Sequence, residues 1–191
     1  MIGKKNIVFG FIYLVFTAAL GPYMIVSQMP AVAEAQGERQ ARMSELQQAA
    51  AGGFLDTELN SMSAEQIAKT NTRAILSLSA SQNARNGIEA IKSGPHAHGN
   101  LEAMLNIIVG IALCFIAVPR LFKQVISWTF IAGAVMHAGL QYMAAVFQFA
   151  WAFALFNSPV AVVGPVLILA GLAMMGVAAF LGFRAEPVRD W

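Results

Sequence analysis

Four polar side chains stand where two apolar stretches would meet lipid. Glu102 and Asn106 interrupt residues 101–118, and His137 and Gln141 interrupt residues 125–147. His96 and His98, just upstream, are the other two histidines. Imidazole and carboxylate can ligate a metal, carry a proton or act as acid and base. Carboxamides orient a ligand or tie helices together. An acid or base at the centre of a membrane helix costs about 2.5–3.5 kcal/mol on insertion scales, so such residues mark a pathway, a ligand or a partner.

Each residue also has an ordinary reading. Asn106 and Gln141 can be interhelical glue, a polar seam with no ligand. Glu102 can be a first-turn acid facing a helix N-terminus. Met136, Ala138 and Gly139 surround His137, where a ligand, a proton carrier or a hydrogen-bonded partner is expected. His96 and His98 form an HxH pair entering a helix behind Pro95. Such a pair can bind copper, zinc or haem iron, or nothing. The candidate metal set is therefore His96, His98, Glu102 and His137. Neither a nucleotide loop, a Ser-His-Asp pattern nor a CxxC motif is present.

The elements that must position these groups are membrane helices. The chain has 191 residues, 58% hydrophobic and 12% charged, where a soluble domain carries about 25% charge. A net charge of +2 and no basic aromatic patch argue against a nucleic-acid partner. The single cysteine, Cys114, lies in an apolar stretch and can form no internal disulfide. Four stretches, 7–26, 101–118, 125–147 and 160–183, approach the roughly 20 residues that cross a bilayer. The first is too long for a signal-peptide core, so it is expected to remain as an anchor although Lys4 and Lys5 precede it. The expected fold is all-α: a four-helix transmembrane bundle with an extramembrane helical hairpin between helices 1 and 2. Residues 1–30 hold the first helix, 31–97 the hairpin, and 98–191 helices 2–4 with a short tail.

Lys4, Lys5, Arg120, Lys123, Arg184 and Arg189 fall on one side of this topology. By the positive-inside rule that side, with both termini, is cytoplasmic, and residues 31–97 lie outside a bacterial inner membrane. Trp128 and Trp151 bracket span 3 as interfacial anchors. Within the hairpin, Gly52-Gly53 break a helix over 31–50, and Ser63 with Gln66 forms a capping box that starts a second. That helix is expected to run to Lys92 and stop at Gly94-Pro95, with Ile67, Ala74, Leu78, Ile88 and Ile91 as a weak apolar stripe. The hairpin is either a solvated decoration or a docking surface for a partner subunit or a second copy.

A turn centred near residue 121 would place Asn106 level with His137, and Glu102 level with Gln141. The i, i+4 spacing puts each pair on one face, and His98 extends the span 2 stripe. That face must point into the bundle, because lipid cannot satisfy it. The same count separates His98 from His137 by about seven residues, roughly 10 Å. Clamping of one haem by both within one subunit is therefore not expected.

The stretch HAHGNLEAMLN, residues 96–106, resembles the opening of span 2 in the styrene oxide isomerase-like membrane proteins. In that family a histidine ligates haem b, and an asparagine six residues later lines the substrate pocket. Asn106 matches the asparagine, and Tyr142 on span 3 matches the pocket tyrosine. Asn100 stands six residues before Asn106 and His98 eight before, so His98 becomes the ligand through a local shift, with His96 in reserve. The resemblance implies a trimer with haem between subunits. It also implies a Lewis-acid epoxide isomerase in which Asn106 and Tyr142 orient substrate. On the residues' own reading, His137 would then shape the pocket or relay protons, and Glu102 joins His98 and His96 in the cofactor-binding set.

Two alternatives remain open at this point. One is a non-catalytic subunit of a respiratory, photosynthetic or oxygenase complex, docked through residues 31–97. The other is a proton or ion carrier using Glu102 and His137.

Overall fold

The computed structural model describes residues 1–55 and 59–188, so Arg189, one of the orienting cations, lies outside the described residues. Regular structure among the described residues is helical, and the only β-type pairings are two isolated bridges, Leu55 with Ser61 and Ile116 with Phe183. The helices are α1 (Lys4–Ala18), α2 (Leu20–Tyr23), α3 (Met29–Ala51), α4 (Ala64–Ile91), α5 (Ala97–Ala112), α6 (Arg120–Ala134), α7 (Leu140–Ala145), α8 (Ala150–Phe156) and α9 (Val163–Gly182). π-helical turns at Met24–Gln28, Lys92–His96 and Val135–Gly139 join neighbouring helices. The chain divides into two compact units, Met1–Gly21 with Ala90–Trp191, and Pro22–Glu89.

Three helical runs are long and apolar enough to cross a membrane: Lys4–Ala51, Ala64–Phe115 and Pro159–Gly182. Four were expected. The expected third span is helical from Arg120 to Ala145, but it is not among the three. Gln124, His137 and Gln141 lower its apolar character, and two of them belong to the polar cluster itself.

In the first unit, α1 and α5 pack with almost no side chain between them. A Cβ on Gly10 would sit 2.7 Å from the Ala103 carbonyl oxygen, and one on Gly110 would sit 2.6 Å from the Gly3 carbonyl oxygen. Helices within lipid gain from such approach, because packing rather than water exclusion holds them together. Side chains of α6 and α9 interleave around Phe130 and Ile168 in a core that includes Val109, Leu113, Ile116, Ile126 and Ala178. The outward faces are apolar. Phe11, Ile12, Val15 and Phe16 on α1 and Leu169, Phe180 and Leu181 on α9 are exposed, which suits lipid and not water. Trp128 and Trp151 are exposed too, as interfacial anchors would be.

The turn between α5 and α6 differs from its expected place. α5 continues as a 3-10 turn, Leu113–Phe115, and residues 116–119 are not helical. Pro119, extended at ψ 138°, precedes the first turn of α6. Ile116 bridges Phe183, the Ala117 N–H donates to the Gly182 carbonyl at 2.7 Å, and the Arg184 N–H donates to the Phe115 carbonyl at 2.8 Å. The backbone needs of 116–117 are thus met by the end of α9. The centre of the turn therefore lies several residues before 121, and the pairing of α5 with α6 shifts accordingly.

The second unit holds α3 and α4. The capping box forms as expected: the Ser63 N–H donates to Gln66 Oε1 at 2.6 Å, and the Gln66 N–H donates to Ser63 Oγ at 3.2 Å. Gly53, at φ +69°, closes α3, and the Phe54 N–H returns to the Ala49 carbonyl at 2.7 Å. Along α4 the inward positions are Ile67, Thr70, Ala74, Ser77, Ser81, Ala84 and Ile88, in steps of three and four. Leu78, expected on this stripe, is 49% exposed beside exposed Ile75 and Leu76. Small residues take much of the inner face, and three large apolar ones turn outward. Gly94 (ψ −108°) kinks the chain in the π-helical turn, and α5 follows with no intervening loop, where Gly94-Pro95 was expected to end the helix.

Candidate functional site

α5 presents His98, Glu102 and Asn106. The run formed by α6, the π-helical turn 135–139 and α7 presents His137 and Gln141. Glu102 meets His137, not Gln141: Glu102 Oε1 lies 2.5 Å from His137 Nδ1. Glu102 is 3% exposed, and its Oε2 has no hydrogen-bond partner among the described residues. A carboxylate accepts, so His137 donates to it from Nδ1. A carboxylate behind an imidazole fixes the orientation of the ring. α9 fixes this histidine from the other side. A Cβ on Gly164 would fall 2.5 Å from the His137 backbone nitrogen, so only glycine fits there.

His98 completes the cluster. Its ring centroid lies 4.7 Å from that of His137, tilted by 49°. The expected separation of about 10 Å is therefore corrected, and the cause is the displaced turn. Two imidazoles sharing one iron need about 2 Å for each metal–nitrogen bond, so their nitrogens stand roughly 4 Å apart before the rings are added. Rings packed at 4.7 Å leave no such gap. As the two rings stand, no iron fits between them.

His96 points elsewhere. Its Nδ1 donates to the Thr17 carbonyl at 2.9 Å, while Thr17 Oγ1 donates to Asn100 Oδ1 at 2.7 Å. His96 and Asn100 therefore tie α1 to the start of α5. Among the described residues, no three His, Cys, Asp or Glu side chains converge as a metal-ion site.

Asn106 forms a second layer, one turn along α5. Its Nδ2 donates to the Glu102 carbonyl at 2.9 Å, and its Oδ1 accepts from Asn6 Nδ2 at 2.9 Å. Asn6 Nδ2 also donates to the Ser127 carbonyl at 3.0 Å, and the Ser127 hydroxyl donates to Asn6 Oδ1. All three residues are fully buried. Asn106 was expected beside His137, but its side chain is hydrogen-bonded within this seam. The sequence reading missed Asn6 and Ser127. Asn6 falls one residue before the expected start of span 1, yet Gly3, Asn6, Gly10, Tyr13 and Thr17 recur in steps of three and four and mark the face that packs.

Gln141 is buried. Its Oε1 has no hydrogen-bond partner among the described residues and lies 3.0 Å from where a Cβ on Gly94 would stand. It shares with His98 a cavity of about 490 Å³ whose other walls include Ala90, Gly94, Ala144, Ala145, Phe153 and Phe156. Tyr142 lines a different space of about 270 Å³ with Tyr13, Phe16 and Phe147. The structure therefore sets His98 against His137 and His137 against Glu102, with His98 and Gln141 on one cavity wall, and leaves His96, Asn106 and Tyr142 outside that cavity.

The chain matches no protein-family model, no curated protein and no solved structure with which it was compared. What it does must be argued from this geometry.

Proposed function

We propose that the chain is a multi-span membrane protein that binds a planar, largely apolar cofactor of the haem b class in the His98 cavity, with His98 as the single protein ligand. Four crossings are part of this reading. The run from Arg120 to Ala145 supplies the partner of the buried Glu102, so it is taken to cross with α5 despite its polar residues. The observation that carries the proposal is an imidazole on the wall of an apolar cavity, backed by a second imidazole that a buried carboxylate holds in place.

The donor set favours haem over a bare copper or zinc ion. Those ions need three or four protein ligands, and no such convergence occurs among the described residues. Haem brings four nitrogens of its own and asks the protein for one. Alanine and glycine at positions 90, 94, 144 and 145 leave room for a flat ring, and Phe153 and Phe156 offer it aromatic walls. When bound, such a group supplies a Lewis-acidic iron. The residues of the chain do the rest. His98 binds, Glu102 and His137 fix the ring behind it, and the free Gln141 Oε1 waits for a donor at the wall. An isomerase reading would take its polar contact from Gln141, since Asn106 is used in the seam.

The test is the absorption spectrum of protein purified from haem-supplied cells. A Soret band that stays with the protein through size exclusion is expected. A colourless protein that also fails to take up added haemin would refute the proposal.

One observation favours the accessory-subunit reading instead. Ile75, Leu76 and Leu78 are exposed together on α4. Under that reading a partner chain covers them, co-purifies with the protein and is lost from Leu76→Gln/Leu78→Gln. Purification of the unaltered chain as a homo-oligomer alone would count against it.

A further inference from the structure

A second cavity, of about 640 Å³, lies where the starts of α1 and α6 come together. Lys4, Lys5 and Arg120 reach it, and among the described residues no carboxylate lines it. Lys5 is not a free surface cation: its Nζ lies 4.3 Å over the Trp128 ring and donates to Gln124 Oε1. Two helices thus set three positive groups around one space. Val8 and Phe9 continue its wall, and beyond them along α1 lie exposed Phe11, Ile12 and Val15. A charged mouth running into an apolar flank, with an exposed tryptophan at its rim, matches the water–lipid boundary and not a site for a wholly soluble anion.

We infer that this cavity holds the head group of an anionic phospholipid, its phosphate against Lys4, Lys5 and Arg120 and its acyl chains along α1. The site is separate from the His98 cavity and depends only on the chain residing in a membrane. Basic pockets between helices at the membrane surface favour anionic head groups, each Lys or Arg adding about 1 kcal/mol, or roughly fivefold in affinity. Arg120 can in addition bind a phosphate through two parallel N–H donors. A phosphatidylcholine head group carries its own cation toward the three already present and loses most of that gain.

The full chain, purified in detergent, tests this through its melting temperature in the presence of phosphatidylglycerol, phosphatidylcholine or inorganic phosphate. Phosphatidylglycerol should raise it, and the other two should not at matched concentration. Lys4→Gln/Arg120→Gln should need more than tenfold more phosphatidylglycerol for the same shift, while Lys69→Gln, in the hairpin, should respond as the unaltered chain does. Equal shifts from the two lipids would overturn the proposal, as would a shift reproduced by phosphate alone or a double variant that responds normally. Native mass spectrometry of the unaltered chain gives an answer that needs no variant. Phosphatidylglycerol should remain bound at collision energies that strip phosphatidylcholine, and equal retention would contradict the assignment.

Discussion

Glu102 holds one carboxylate oxygen against His137 and leaves the other without a partner among the described residues, deep inside a bundle of apolar helices. A buried polar group left unsatisfied costs roughly 1–3 kcal/mol, so its retention needs a return elsewhere, and an oriented imidazole is that return. His137→Ala strands the whole carboxylate and should lower stability by about that amount, read as a drop in the melting temperature of the detergent-purified protein. Glu102→Ala should also destabilise, but the double variant should lose less than the sum, with a coupling of about 0.5–3 kcal/mol. Strict additivity would show that the pair does not act as a unit. Asn6→Leu should cost roughly 1–2 kcal/mol, because Asn106 and Ser127 lose their shared partner. Glu102, His137 and His98 were legible in the sequence, since polar groups in apolar stretches announce themselves. Their pairing was not: it depends on where the chain turns, which the apolar residues Ile116, Ala117 and Val118 conceal by reading as more helix.

At the scale of elements, the contact between α1 and α5 is set by glycines whose missing side chains let two backbones touch. Gly10→Leu would drive a side chain into the Ala103 carbonyl and Ile107, and should lower stability by about 1–3 kcal/mol, as overpacking does. Gly176 on α9 has nothing within 4 Å of its would-be Cβ. Gly176→Ala should therefore be neutral or slightly stabilising, since alanine is the better helix former. If both substitutions melt alike, the seam does not hold the bundle. Signals that act within a few residues were readable in advance: the Ser63–Gln66 box and the Gly52-Gly53 break each formed where the sequence placed them. The inner face of α4 was not, because Thr70, Ser77 and Ser81 line it while Ile75, Leu76 and Leu78 face outward, so hydrophobicity points to the wrong side.

For the whole molecule, the account needs a chain that crosses the bilayer four times with residues 31–97 on the outer side. In a Cys114→Ser background, Ser44→Cys should react with a membrane-impermeant maleimide in intact cells, whereas Glu186→Cys should react only after permeabilisation. Reaction of both in intact cells would contradict that topology. Within it, the central claim is that His98 is the group presented to a haem-class ligand. It is tested most directly by titrating haemin into purified unaltered protein, His98→Ala and His96→Ala while following the Soret band. Saturable binding is expected in the unaltered protein and in His96→Ala, whose histidine is engaged with Thr17, and loss of the shifted band in His98→Ala. An unchanged titration in His98→Ala, or loss in His96→Ala alone, would contradict it.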